Sequence, residues 1–97
     1  MSTKEQPIIK KKIAAPKMYK VLILNDDFTT MEFVVMVLMV IFKKSKQDAH
    51  SLMLQVHNDG FGVCGVYPYE IAETKVAFVS QLAQQNKFPL RCKLEEA

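Results

Sequence analysis

The side chains that could do chemistry are few, and they gather at one junction. Asn25, Asp26 and Asp27 set two carboxylates and an amide directly after the apolar run Val21-Leu22-Ile23-Leu24. Four residues further on begins a run of twelve, Met31 to Phe42, in which only Glu32 is polar. An acceptor-rich lip beside so apolar a segment suits a ligand that is cationic at one end and greasy at the other. His57 and Cys64 have the residue types of a base and a nucleophile, but Cys64 falls in a strand-like stretch between glycines with no evident oxyanion donor. Asp26, Asp27, His57 and Asp59 carry metal-binding chemistry, yet their spacing does not make them converge. The chemistry therefore points to binding rather than catalysis, and no enzyme activity, metal or cofactor is expected.

The elements that must position these residues follow from periodicity. Met18–Leu24 reads as a strand with Tyr19, Val21 and Ile23 on one face. Asn25-Asp26-Asp27 ends it, since these side chains bond their own local backbone and favour turns. Thr29-Thr30-Met31-Glu32 matches a capping box, with Thr29 as cap and Glu32 reaching back. That start and the length of the run favour a helix over 31–42 despite its valines. Phe33, Val37, Leu38 and Ile41 form its inward stripe, leaving Val34, Met36 or Met39 for another surface, and Lys43 and Lys44 suit its negative end. Ser45 caps a second helix reaching about Asn58, with Ala49, Leu52, Met53 and Val56 on one face and His57 on the same side as Met53.

Gly60, free to adopt a left-handed conformation, stops that helix. Phe61–Tyr67 is a short strand, and Pro68 opens a third helix at its first position. Ala72, Val76, Val79 and Ala83 make the inner stripe there, widened by Ile71, Phe78 and Leu82, with Glu70, Glu73 and Lys75 on or near the outer edge. Phe88-Pro89 leads into a last alternating strand, Leu90–Leu94. The order is β-α-α-β-α-β, an α+β fold. With the first two helices as neighbours, His57 and Met53 would face Asn25–Asp27 and Val34 across a small concave pocket.

Whole-chain numbers narrow the class. Ninety-seven residues, 49% hydrophobic and 24% charged, make one globular domain. Residues 1–20 carry six Lys and one Glu, while the remainder is mildly acidic, so the net charge of +3 belongs to the tail. A flexible basic arm over 1–17 and a folded domain over 18–97 are expected. An acidic folded surface argues against a nucleic-acid partner. Cys64 and Cys92 form no C-x-x-C pair and read as buried thiols in a reducing compartment. No signal peptide follows Lys10-Lys11-Lys12, and twelve apolar residues cannot span a bilayer, so a soluble cytoplasmic protein is expected.

Tyr19-Lys20-Val21, Leu24-Asn25-Asp26-Asp27-Phe28-Thr29 and Met31-Glu32-Phe33-Val34 together carry a pattern that resembles the ClpS family of adaptor proteins. The match continues through Leu52-Met53-Leu54-Gln55-Val56-His57, Gly60, Cys64-Gly65-Val66, Ile71-Ala72-Glu73-Thr74-Lys75 and Pro89-Leu90, covering roughly residues 18–95. The resemblance implies a three-stranded antiparallel sheet with three helices packed on one face, in agreement with the element order. Met36 and Met39 stand where that family tends to carry polar residues.

What the resemblance implies about function is specific. Such an adaptor binds N-degrons, proteins whose first residue is Leu, Phe, Tyr or Trp, and delivers them to a ClpA- or ClpC-type AAA+ unfoldase for proteolysis by the Clp protease. Asn25, Asp27 and His57, with Asp26 beside them, would bond the substrate α-ammonium. Thr29, Met31, Val34, Met53, Val56 and Leu90 would build the pocket for the first side chain. Glu70, Glu73, Thr74 and Lys75 would dock on the N-terminal domain of the unfoldase. A monomer without nucleic-acid or membrane partners is expected. The element order also resembles the C-terminal domain of the ribosomal stalk protein, which leaves a ribosome-associated interaction module as the alternative.

Overall fold

The protein is described, as a computed structural model, over residues 15–97. Most of the arm expected over 1–17 therefore lies outside the described residues. The first strand, β1 (Met18–Leu24), is the centre of a three-stranded antiparallel sheet. It pairs on one side with β2 (Phe61–Pro68) and on the other with β3 (Arg91–Glu96). Val21 and Ile23 are wholly buried, as a central strand of aliphatic residues demands. The β1–β2 register shifts between Val21 and Leu22, because Cys64 is an extra residue on β2. This bulge turns Cys64 inward to 1% exposure.

Three helices cover the face that bears Val21 and Ile23: α1 (Met31–Val40), α2 (Lys46–Asp59) and α3 (Tyr69–Gln85). Their buried residues join those of the sheet in one cluster, from Phe33, Val37 and Leu38 through Ala49, Met53 and Val56 to Ala72, Val79 and Ala83. Phe33 of α1 meets Phe88, just before β3, with ring centroids 4.7 Å apart. That contact closes the core at the end where β1 gives way to α1.

Several boundaries differ from the sequence expectation, each for a local reason. The N-cap of α1 is Thr30, whose hydroxyl accepts from the Phe33 N–H at 3.1 Å. Thr29 does not cap: its N–H and hydroxyl both donate to Asp26, which holds it in the turn that precedes the helix. Helix α1 ends at Val40 rather than Phe42: Lys43 turns left-handed at φ 58° and the Lys44 N–H reaches back to the Leu38 carbonyl. Ser45 caps α2 through the Asp48 N–H, and Gly60 ends it at φ 92°. Pro68 closes β2 and occupies the cap position of α3, so Tyr69 is the first helical residue. The last strand starts at Arg91 instead of Leu90.

The stripe of α3 is narrower than periodicity suggested. Ala72, Val79 and Ala83 are buried, whereas Ile71 and Phe78 are about half exposed at 49% and 53%. Small alanines let α3 lie close on the sheet, and residues one step round the helix are then left outside the contact. Val34, which the same reasoning on α1 left for another surface, is 7% exposed and belongs to the core.

Candidate functional site

The site is built on a turn held by one carboxylate. Asp26 Oδ1 accepts from the Phe28 N–H at 2.8 Å and the Thr29 N–H at 2.7 Å, and Oδ2 accepts from the Thr29 hydroxyl at 2.7 Å. Burial raises the Asp26 pKa, but the hydrogen bonds from Thr29 and Phe28 outweigh it and leave the group below its ordinary value. A second anchor comes from the other side of the turn: the Asn25 N–H donates to the Gly60 carbonyl over 2.9 Å. The end of β1 is thereby fastened to the end of α2, one turn of helix from His57.

Nine sequence-nominated residues line one cavity of ≈ 220 Å³. Val34 from α1 and Met53 and Val56 from α2 contribute buried apolar wall, exposed by 7%, 4% and 2% respectively. Thr29 and Met31 stand on the α1 side, with Met31 exposed at 45%. Asn25, Asp27 and His57 are exposed and bring one amide, one carboxylate and one imidazole to the opening. Asp26 also lines the cavity, but both of its oxygens already serve the turn. These bonds fix the turn that carries Asn25 and Asp27.

Leu90 is not among the residues lining this cavity. It lines a neighbouring groove with Leu24, Phe28, Phe88 and Pro89, and the Asn25–Asp27 turn borders both spaces. Leu90 is 4% exposed and packs in the core behind the turn.

On α3, Glu70, Glu73 and Thr74 are exposed. The Thr74 hydroxyl donates to the Glu70 carbonyl at 2.9 Å, and Glu73 accepts from the Tyr69 hydroxyl at 3.1 Å. Lys75 does not share this freedom. Its ammonium donates to the Ile41 carbonyl at 2.7 Å, satisfying the end of α1, and lies 5.6 Å from the Tyr67 ring centre.

The other chemistries weighed from sequence find different surroundings. Burial, with a smaller contribution from Cys92, pushes the Cys64 thiol up to about 12, and burial does the same for Cys92. Both cysteines are free. A thiol so disfavoured as thiolate is a poor nucleophile. Among the described residues no group of three or more His, Cys, Asp or Glu is placed to hold a metal ion, and no helix is long and apolar enough to cross a membrane.

Two residues matter here that sequence reasoning passed over. Phe28 follows the acidic pair and is 76% exposed at the mouth of the neighbouring groove; an aromatic inside a polar turn was the available signal. Gly62 is the second. A Cβ there would stand 2.8 Å from Leu52 Cδ1 and 2.9 Å from Val56 Cγ2, so its lack of a side chain lets α2 settle on β2 and seats Val56 in the cavity wall. Glycine inside a strand is the usual mark of such a close approach.

Comparison with known proteins agrees across sequence and structure. The family model described as ATP-dependent Clp protease adaptor protein ClpS matches residues 14–93. The ATP-dependent Clp protease adapter protein ClpS of Wolinella succinogenes is 57% identical over 84 residues, covering 87% of this chain and 82% of that protein. The protein of the same name from Desulfotalea psychrophila is 60% identical over 81 residues, covering 84% and 79%. Among solved structures, Agrobacterium tumefaciens ClpS2 bound to L-phenylalaninamide superposes with a TM-score of 0.83 at 38% identity, covering 86% of this chain and all of that one.

Proposed function

The chain belongs to the ClpS family of ATP-dependent Clp protease adaptor proteins, and from that premise we propose that the cavity behind the Asn25–Asp27 turn receives the first residue of N-degron proteins. The substrates are chains that begin with Leu, Phe, Tyr or Trp, and the recipient of the cargo is a ClpA- or ClpC-type AAA+ unfoldase. The observation that carries this reading is one cavity with an apolar wall of Val34, Met53 and Val56 and a polar opening of Asn25, Asp27 and His57. L-phenylalaninamide, which the Agrobacterium relative binds, has a free α-amine and a benzyl side chain. Those are the two groups such a cavity would read.

The division of labour follows from energetics. An α-ammonium has three donors and a charge. Asn25 and Asp27 offer acceptors, and a neutral His57 imidazole offers a third. Charge-assisted hydrogen bonds contribute roughly 1.5–3 kcal/mol each, and burying a Leu or Phe side chain adds roughly 1.5–3 kcal/mol. Association costs about 4–15 kcal/mol; side-chain burial alone falls short of that range and three polar contacts reach only its lower part, so across most of it both ends of the ligand are needed. A terminal residue is thereby told from an internal one. Met31 at the rim would reject β-branched first residues, since a misplaced methyl group decides about 1–3 kcal/mol.

Residues 18–97 are the adaptor domain in this reading, with the arm over 1–17 outside it. Glu70, Glu73 and Thr74 on the exposed side of α3 are the docking face for the unfoldase N-terminal domain, with Lys75 at its edge. The adaptor performs no chemistry of its own, in keeping with the raised thiol of Cys64. Two unpaired cysteines suit the reducing cytoplasm. A peptide beginning with free Phe should bind, and its N-acetylated twin should not. Equal affinity for the two would overturn the assignment.

A further inference from the structure

Helix α1 is apolar on the side that turns away from the sheet. Met31, Met39 and Val40 are exposed at 45%, 37% and 54%, and Met36 is half-buried beside them. Together with Val35 and with Met53 of α2 they line a groove of ≈ 540 Å³ whose polar members are Glu32 and His50. A helix packed on a sheet by one stripe would ordinarily carry polar residues there, and contiguous apolar surface marks a place where something binds.

We propose that this α1–α2 seam takes the second and third residues of the N-degron, with a preference for apolar side chains at those positions. The inference rests on the reading of the neighbouring cavity as the seat of the first residue, and continuity carries it. Met31 and Met53 line both spaces, so a chain leaving the first passes over them directly into the second. Val35 and His50 carry the track onward to Lys46 at the start of α2. The seam is also long enough. Met31 to Met39 spans about 12 Å at 1.5 Å per helical residue, room for more than the two extended residues assigned to it, which cover about 7 Å. The occupant must be apolar because the wall offers thioethers and methyl groups. Methionine, flexible and polarisable, adapts to side chains of different shape, so the preference is for apolar character rather than one residue.

The test compares two Phe-starting peptides that differ only at positions two and three, Leu-Met in one and Ser-Ser in the other, by fluorescence polarisation. Phenylalaninamide, measured by calorimetry, reads the first cavity alone. The Leu-Met peptide should bind about tenfold more tightly, as partial burial of one aliphatic side chain would give. The double variant Met36→Gln, Met39→Gln should reduce that ratio to about threefold or less while phenylalaninamide binds as before. The single variant Met39→Gln, at an exposed position, gives an intermediate ratio and guards against misfolding of the double one. Loss of phenylalaninamide binding to the unaltered protein would overturn the first-cavity reading and this inference with it. Intact phenylalaninamide binding with no difference between the two peptides, or a difference the variants leave untouched, would overturn this inference alone. Self-association of the unaltered protein that the glutamines abolish would assign the seam to a second copy of the chain instead.

Discussion

The backbone N–H of Asn25 donates to the Gly60 carbonyl over 2.9 Å, tying the turn after β1 to the cap of α2. Two groups far apart in sequence, Asn25 and His57, share one cavity opening because of that tie. The carbonyl points correctly only while Gly60 stays left-handed at φ 92°, and a Cβ added there would meet nothing within 4 Å. Gly60→Ala should therefore cost backbone strain alone, about 1 kcal/mol. The measurement is the urea midpoint at unchanged slope. Gly60→Asn, better suited to that conformation, should recover part of the loss.

Asp27 and Asp26 are adjacent and should behave differently. Asp27 makes no hydrogen bond that builds the turn, so Asp27→Ala should weaken a Phe-starting peptide by about 10- to 100-fold, the worth of one charge-assisted bond. Stability and capture by the unfoldase should be unchanged. A binding titration alongside a pull-down reads both, and loss of docking with peptide binding intact would contradict the assignment.

Asp26 should instead report through acid stability. Its folded pKa lies below the ordinary value of 3.8, so the unfolded chain takes up the proton first as pH falls. The stabilisation is complete above the ordinary carboxylate range and drains away as pH drops through the lowered folded value. Asp26→Ala should flatten the stability profile between about pH 5 and pH 2 relative to the unaltered protein. Denaturation midpoints across that range are the measurement, and parallel profiles would show that the turn does not depend on the charge.

The order of elements and most of the buried stripes were legible in the chain, because helix and strand periods are local properties. Ser45, Gly60 and the stripe Ala49-Met53-Val56 stand where local rules put them. What escaped was competition between neighbours. The capping box pointed to Thr29, but Asp26 holds Thr29 in the turn and the cap is the next residue, Thr30. Thr30→Ala should accordingly cost about 1 kcal/mol of stability without touching the turn. Leu90 is a different case: it sits buried at the entry to β3 and borders the neighbouring groove, and nothing within its own segment says which side of the turn it serves. The convergence of His57 on Asn25 could not be read from spacing alone: it needed the first two helices to be neighbours, which the fold supplies.

Lys75 separates structure from docking on α3. By sequence it belongs with Glu70, Glu73 and Thr74, yet its ammonium donates to the Ile41 carbonyl at 2.7 Å and lies beside the Tyr67 ring. That carbonyl is one of the unpaired acceptors at the end of α1, in a part-buried place where leaving it without a donor costs about 1–3 kcal/mol. Lys75→Met keeps the aliphatic stem and removes the donor, so it should lower the unfolding free energy by that amount and the melting temperature with it. Glu73→Ala breaks only an exposed bond to the Tyr69 hydroxyl, and its stability should stay within about 0.5 kcal/mol of the unaltered protein. If α3 is the docking face, Glu73→Ala should nonetheless weaken capture by the unfoldase while Phe-peptide affinity holds. Thermal melts and pull-downs on the two variants give opposite patterns on this account. A Lys75→Met protein as stable as the original would mean that the contact with Ile41 is not what orders the end of α1.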